Sequence, residues 1–310
     1  MADHIVIGTR GSELARIQAQ MVVDELRARW TDLSIETRII KTCGDEPMPG
    51  APSGNLRGGW KGLFTAEIER ALCEGEIDLA VHSAKDLPSD SDPGVEIAAA
   101  LRRGSVHDVL VAPVPRDLHS LPQSGIVATG SVRRKHQLRW KRPDLEVVDL
   151  RGNVPTRLRK LASAGWHAAI LAQAGLERLG LPLGADCLRY EGNDFCLHPL
   201  STEIFLPAGG QGIIAIQIRS DDDRARMLLE PINHFETRLC LRAEREFLRL
   251  LQADCNQPVG VLAAIEGAHL KMIGQIFALG ATVPRAATVA GPNEDAESLA
   301  AELLKRINAQ

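Results

Sequence analysis

Aromatic residues are scarce in this chain: six Phe, four Trp and one Tyr make up 4% of its 310 residues, too few to offer stacking platforms to a run of bases. An excess of positive charge is also missing. Lys and Arg number 36 against 40 Asp and Glu, a formal net charge of −4, so a nucleic-acid backbone is not the expected partner. No apolar run reaches the length of a membrane span, and the N-terminus lacks the basic, apolar, small-residue order of an export signal. A cytoplasmic protein with no membrane partner is expected. Cysteine is sparse as well. Cys43, Cys73, Cys187, Cys196, Cys240 and Cys255 show no CxxC pair and no disulfide-scaffold density. They read as reduced thiols, most of them buried, and no metal site is expected.

What the chain does have is polar chemistry at the ends of apolar strands, where doubly wound sheets place their sites. Ile77-Asp78-Leu79-Ala80-Val81 reads as a buried strand leading into His82-Ser83-Ala84-Lys85-Asp86-Leu87-Pro88, and Pro88 stops a helix from running through the turn. Asp86 is thereby placed at a strand exit, facing a crevice. Ile5-Val6-Ile7-Gly8 leads into Thr9-Arg10-Gly11-Ser12 and an apolar-periodic helix. Two further exits follow the same plan, Gly130-Ser131-Val132-Arg133-Arg134 after one strand and Arg151-Gly152-Asn153 after another, with Arg157 one turn on. Ser131 and Asn153 are expected N-caps.

Helix N-termini carry unpaired N–H groups and a positive dipole end, and guanidinium forks beside them hold carboxylates or phosphates bidentately. Arg10, Arg133, Arg134, Arg151 and Arg157 are read as sharing one polyanionic guest. Each taken alone is equally well an ordinary cap or a solvated arginine; four such turns beside a strand-end aspartate form a constellation.

The length predicts two or three domains. Strands alternate with amphipathic helices from residue 4 to about 228, the pattern of βα units around parallel sheets. A break at Arg102-Arg103-Gly104-Ser105 separates two blocks, and Ile213–Ile218 is apolar enough to be a central strand returning to the first sheet. The expected fold is α/β: two doubly wound lobes, 1–104 with 206–228 and 105–205, and a smaller α+β domain at 229–310. That last domain reads as a helix from 233 to about 251, strands near 258–266, 269–279 and 282–290, and a helix at 294–307. Residues 42–59 hold too much Gly and Pro for regular structure and read as a lid or a plain surface loop.

These strand exits, with Lys61-Gly62-Leu63-Phe64-Thr65 and Leu206-Pro207-Ala208-Gly209-Gly210-Gln211-Gly212, resemble hydroxymethylbilane synthases, also called porphobilinogen deaminases. The resemblance runs in order from Gly8 to about Gly260. It implies lobes similar to type II periplasmic binding proteins. It also implies a transferase that joins four porphobilinogen molecules, releasing ammonia, onto a dipyrromethane cofactor held by a thioether, followed by hydrolytic release of linear hydroxymethylbilane.

By matched position the resemblance makes Asp86 the catalytic carboxylate and Cys255 the attachment thiol. It makes Ser83, Lys85, Ser131, Arg133, Arg134 and Arg157 cofactor-binding, and Arg10, Ser12, Arg151, Lys61 and Arg178 substrate-binding. A monomer is expected. The chain departs from the family at Ala253-Asp254, where two glycines are common, at His107, at Ala66 and in a longer 180–205 segment. A carboxylate beside the thiol should raise its pKa and slow cofactor loading, so Asp254→Gly should load faster; equal loading rates would remove the idea. Two other readings stay open. A cytosolic two-lobed polycarboxylate-binding protein without catalysis would need neither Asp86 nor Cys255, and a Cys255 nucleophile paired with His234 or His198 has no supporting spacing.

Overall fold

The computed structural model describes residues 4–42, 59–90, 92–114, 116–181, 188–252, 257–278 and 280–310, with only the backbone at 59–64. The lid segment 42–59, apart from its ends, and Cys43, Cys187, Ala253-Asp254 and Cys255 lie outside the described residues. So does the side chain of Lys61.

The chain opens with β1 (His4–Thr9), α1 (Glu13–Arg29), β2 (Ser34–Ile39), α2 (Gly59–Cys73), β3 (Leu79–Ser83) and β4 (Val95–Ala100). It continues with β5 (Asp108–Ala112), β6 (Ile126–Ala128), α3 (Val132–Lys141), β7 (Glu146–Val148), α4 (Val154–Ser163), β8 (Ala168–Ala172), α5 (Gln173–Arg178), β9 (Leu188–Tyr190) and β10 (Asn193–Pro199). It then returns as β11 (Ile214–Arg219) and α6 (Asp223–Leu229).

The first sheet has the order β2-β1-β3-β11-β4 and the second β7-β6-β8-β5-β10-β9. The two share one plan. Three parallel strands are followed by one antiparallel strand, β11 in the first sheet and β5 in the second, and then by a strand antiparallel to that one. Those two inverted strands are the ones the chain uses to cross between lobes. The apolar run at 213–218 is indeed central to the first sheet, but it runs against its neighbours, so the sheets are mixed rather than parallel. Apolarity reports burial on both faces and is silent on direction. The fold is α/β with two lobes of the type II binding-protein plan. Beyond that plan, β9 and β10 form a hairpin whose turn residues Glu191 and Gly192 have φ of 47° and 81°, the geometry of a two-residue type I′ turn.

The strand read at 77–81 begins at Leu79. Asp78 instead accepts the Val6 N–H through its carboxylate at 2.8 Å, fixing the approach to β3. At the C-terminal end, α7 (Phe235–Leu250) and α8 (Ala296–Asn308) pack on the meander of β12 (Val259–Glu266), β13 (His269–Ile276) and β14 (Arg285–Pro292). The last strand starts later than the 282 expected, because Pro284 has no N–H to offer a ladder. Of the described cysteines, Cys196 and Cys240 are buried and Cys73 is exposed.

The two crossing segments touch each other. Gly104 N–H donates to Gly212 O at 3.0 Å and Leu101 N–H to Ile214 O at 3.1 Å. Gly212 has φ of +84°, and a Cβ there would lie 2.6 Å from Gly104 O, so only glycine allows this approach.

Candidate active site

β3 ends in one 3-10 turn, Ala84–Asp86, closed by Leu87 N–H to Ala84 O at 3.2 Å. Ala84 N–H donates to Ile213 O, and Gly210, with φ of +77°, sits where a Cβ would lie 2.9 Å from Lys85 N. The 209–212 loop thus presses backbone against backbone under the turn. Lys85 and Asp86 are both partly buried, and neither has a hydrogen bond or ion pair among the described residues. Burial pushes the Lys85 ammonium down to about 8, with Asp86 and Asp108 opposing and Arg134 and Arg157 assisting.

The second lobe faces this turn with arginines. Ser131 caps α3 by accepting from Arg134 N–H at 3.4 Å, and Asn153 caps α4 by accepting from Thr156 N–H at 2.9 Å. Arg157 donates from Nε to Gly152 O at 2.7 Å, and its terminal nitrogens have no partner among the described residues. Its pKa is lowered to about 10 by burial and by Arg134, with Asp86 opposing, so it stays charged at neutral pH.

Behind these groups lies Asp108, fully buried. It takes Arg133 Nη1 at 2.8 Å, Arg134 Nη2 at 2.7 Å and Gln211 Nε2 at 2.9 Å. Burial acts to raise its pKa, but the two guanidiniums together overturn that and hold it well below the usual carboxylate range.

The structure therefore brings Lys85, Asp86, Arg134 and Arg157 together. Other candidates are spent elsewhere. Arg133 is only 5% exposed, and its Nη1 is shared by Asp108, Gln137 and Leu206 O. Arg178 donates to Gly212 O at 2.6 Å, bracing the crossing; burial lowers it to about 10. Ser83 bonds the Gln18 amide of α1 at 2.9 Å. Ser12 caps α1, accepting from Ala15 N–H at 3.4 Å. Arg10 is partly buried at the exit of β1, and Arg151 is exposed and paired with Asp149 at 2.8 Å.

The family model described as "Porphobilinogen deaminase, dipyromethane cofactor binding domain" matches residues 5–227, and the one described as "Porphobilinogen deaminase, C-terminal domain" matches 238–309. The chain belongs to the porphobilinogen deaminase family. It is 42% identical over 308 residues to the porphobilinogen deaminase of Moorella thermoacetica, covering 99% of this chain and 93% of the relative. It is 41% identical over 307 residues to that of Roseiflexus castenholzii, covering 98% and 97%. Among solved structures, a double mutant of the VFT2 domain of BvgS from Bordetella pertussis overlaps 74% of this chain and 85% of its own at 17% identity and a TM-score of 0.42, too remote to speak of chemistry. As a porphobilinogen deaminase the chain is a transferase of tetrapyrrole biosynthesis that uses a dipyrromethane cofactor.

Sequence reading missed the supports of this deaminase site. Asp108 stands at the head of an apolar strand, where an acid looks like a solvated turn residue. Gln211 was quoted within a motif and given no role, yet it also donates to Val106 O at 2.7 Å. Glu244 of α7 is fully buried and accepts from Arg103, from Gly210 N–H at 2.6 Å and from Ala263 N–H at 2.8 Å. It ties the loop beneath the Ala84–Asp86 turn to the C-terminal domain. The nucleophile reading loses support: His234 Nδ1 accepts from Thr237 N–H as the cap of α7, and His198 is exposed on β10.

His82, one residue before Ser83, is 5% exposed, and its Nε2 has no hydrogen-bond partner among the described residues. Burial lowers its pKa from 6.5 to about 4, with Arg10 and Arg245 assisting and Gln217 opposing. The unfolded ring gains its proton near pH 6.5 while the folded ring stays neutral to about pH 4. Its contribution to stability is therefore whole above pH 6.5, declines as pH falls through that window and is flat below it, a change of up to about 3 kcal/mol. Urea unfolding at pH 7.5 and 4.5 should show a steeper loss for wild type than for His82→Gln; equal slopes would contradict it.

Proposed function

We propose that Asp86 is the carboxylate that acts on each incoming porphobilinogen, that Lys85 and Arg157 are the principal grips on pyrrole carboxylates, and that the buried Arg134, whose terminal nitrogens go to Ile170 O and Asp108, adds its Nε. Arg10 and Arg151 extend that lining along the crevice, while Arg133, Arg178, Ser12, Ser83 and Ser131 hold the lining in shape. The observation that carries this reading is the Lys85-Asp86 pair. Two opposite charges adjacent in sequence, partly buried and without ion pairs among the described residues, stand opposite guanidinium nitrogens that also lack partners there.

Nature rarely leaves such groups unpaired without a guest. The donor set fits dipyrromethane: each pyrrole ring carries an acetate and a propionate, and the buried, unpartnered Nε of Arg134 adds a further donor. When bound, the cofactor supplies the free pyrrole α-carbon to which new units are joined.

The residues then have distinct work. As the carbon–nitrogen bond of the aminomethyl group breaks, ammonia leaves with the electron pair and positive charge spreads over the substrate ring. The Asp86 carboxylate lies where it can stabilise that charge and accept a hydrogen bond from the ring N–H. Lys85 and Arg157, with Arg134 Nε behind them, fix the ring's carboxylates so that its cation meets the acceptor carbon. The proton lost on joining restores aromaticity, and water ends the series after four units.

Cys255 carries the cofactor in this reading, and the enzyme works as a monomer in the cytoplasm, with porphobilinogen its small-molecule partner and neither nucleic acid nor membrane involved. No described helix is long and apolar enough to cross a membrane, and no metal-like cluster occurs among the described residues. Intact-mass measurement should find the wild-type chain heavier by two deaminated pyrrole units and Cys255→Ser at its bare mass and inactive. An unmodified wild-type chain would favour a carboxylate receptor, and an adduct retained in Cys255→Ser would move the attachment point.

A further inference from the structure

Away from the crevice, a cavity of about 340 Å³ lies between β4 and the C-terminal domain. β4 is the edge strand of its sheet, so no neighbouring strand covers this side. Val95, Ile97 and Leu241 give the cavity an apolar floor. Its wall is α7, where Arg238, Arg242, Arg245 and Arg249 recur at three- and four-residue spacing and so share a face.

The carboxylates that border the cavity are already committed. Glu297 takes Arg242, Glu246 takes Arg249 at 2.7 Å, and Glu96 takes Arg226 at 3.1 Å. Arg238 has no partner among the described residues. Arg245 donates to Ser89 O at 3.3 Å, three residues beyond Asp86, and also lies within the field of Glu69 and Asp90.

We propose that this cavity binds a small dicarboxylate with a flat apolar body, and that its occupancy is felt at the turn carrying Asp86. Volume and floor suit one ring. Arg238 and Arg245 stand two turns apart, about 10 Å along the helix axis, which calls for anionic groups at two ends of the ligand rather than a single phosphate. A ligand carboxylate at Arg245 competes with Ser89 O, and with the nearby Glu69 and Asp90, for the same guanidinium. The segment after Asp86 then loses a brace, and the chemical step slows while porphobilinogen binding in the crevice is untouched.

Terephthalate, whose two carboxylates lie at opposite ends of one flat ring, is a suitable probe. Titrated calorimetrically into the cofactor-loaded enzyme at constant ionic strength, it should bind saturably. Affinity should fall at least tenfold in Arg238→Gln and in Ile97→Trp, which fills the cavity without removing a charge, and should be unchanged in Arg157→Ala. In initial-rate assays terephthalate should lower kcat for wild type and not for Arg238→Gln, whose turnover without terephthalate should match wild type within twofold and so report an intact fold. Competition in the crevice would instead raise KM in both. Absence of saturable binding, binding lost in Arg157→Ala but kept in Arg238→Gln and Ile97→Trp, or an unchanged kcat at saturation would each overturn the proposal.

Discussion

Asp86→Asn should lower kcat by about 10²- to 10⁴-fold, the range expected when a positioned acid–base or charge-stabilising group is lost, with KM for porphobilinogen changed by less than about fivefold. Asparagine keeps the size and a carbonyl acceptor but gives up the negative charge that a substrate cation needs. The split follows from the site. The principal grips on the substrate's carboxylates are Lys85 and Arg157, and neither is bonded to Asp86. Removing the carboxylate also leaves Lys85 without the neighbour that favours its charged form, so kcat and KM should be measured across a pH series for both proteins. Steady-state kinetics of the cofactor-loaded variant, with its mass confirmed, checks the prediction. Retention of more than a tenth of wild-type kcat would remove Asp86 from the chemistry.

Asp108→Ala is expected to cost about 3–5 kcal/mol of folding stability, because it strands two buried guanidiniums. Arg133 and Arg134 are each about 5% exposed, and neither can turn to solvent without opening lobe 2. Gln211 would lose one of its two bonds in the crossing at the same stroke. Urea denaturation followed by circular dichroism measures the loss, and a change below about 1 kcal/mol would show that the arginines find other partners. Asp108→Asn keeps an acceptor and should fall between. The same carboxylate gives the protein an acid limit: its folded pKa lies below the unfolded value near 3.9, so the stability it contributes is present above that pH and lost as pH falls beneath it.

Much of the fold and part of the site can be read from the residues alone. Strand exits are legible because an apolar run followed by Gly, Ser and Arg leaves little choice but a strand, a cap and a helix, and Ser131 and Asn153 cap their helices as expected. Strand direction is not legible, since β11 is apolar for reasons of burial that hold whichever way it runs. Nor could five arginines at similar exits be sorted into those facing a guest and those bonded inward. The difference between Arg133 and Arg157 is Asp108, 25 residues before Arg133, and only the folded chain brings them within reach. Glu244 was hidden for the same reason: on a helix dense in charge, nothing local marks one acid as fully enclosed.

The exchange of inverted strands between lobes also bears on the order of assembly during synthesis. Every strand of the second sheet lies between Asp108 and Pro199, so that body is complete in sequence before the first one is. The first sheet must wait with its fourth position vacant until Arg219 has left the ribosome, and any polypeptide ending before Ile214 leaves β3 and β4 with nothing to join them.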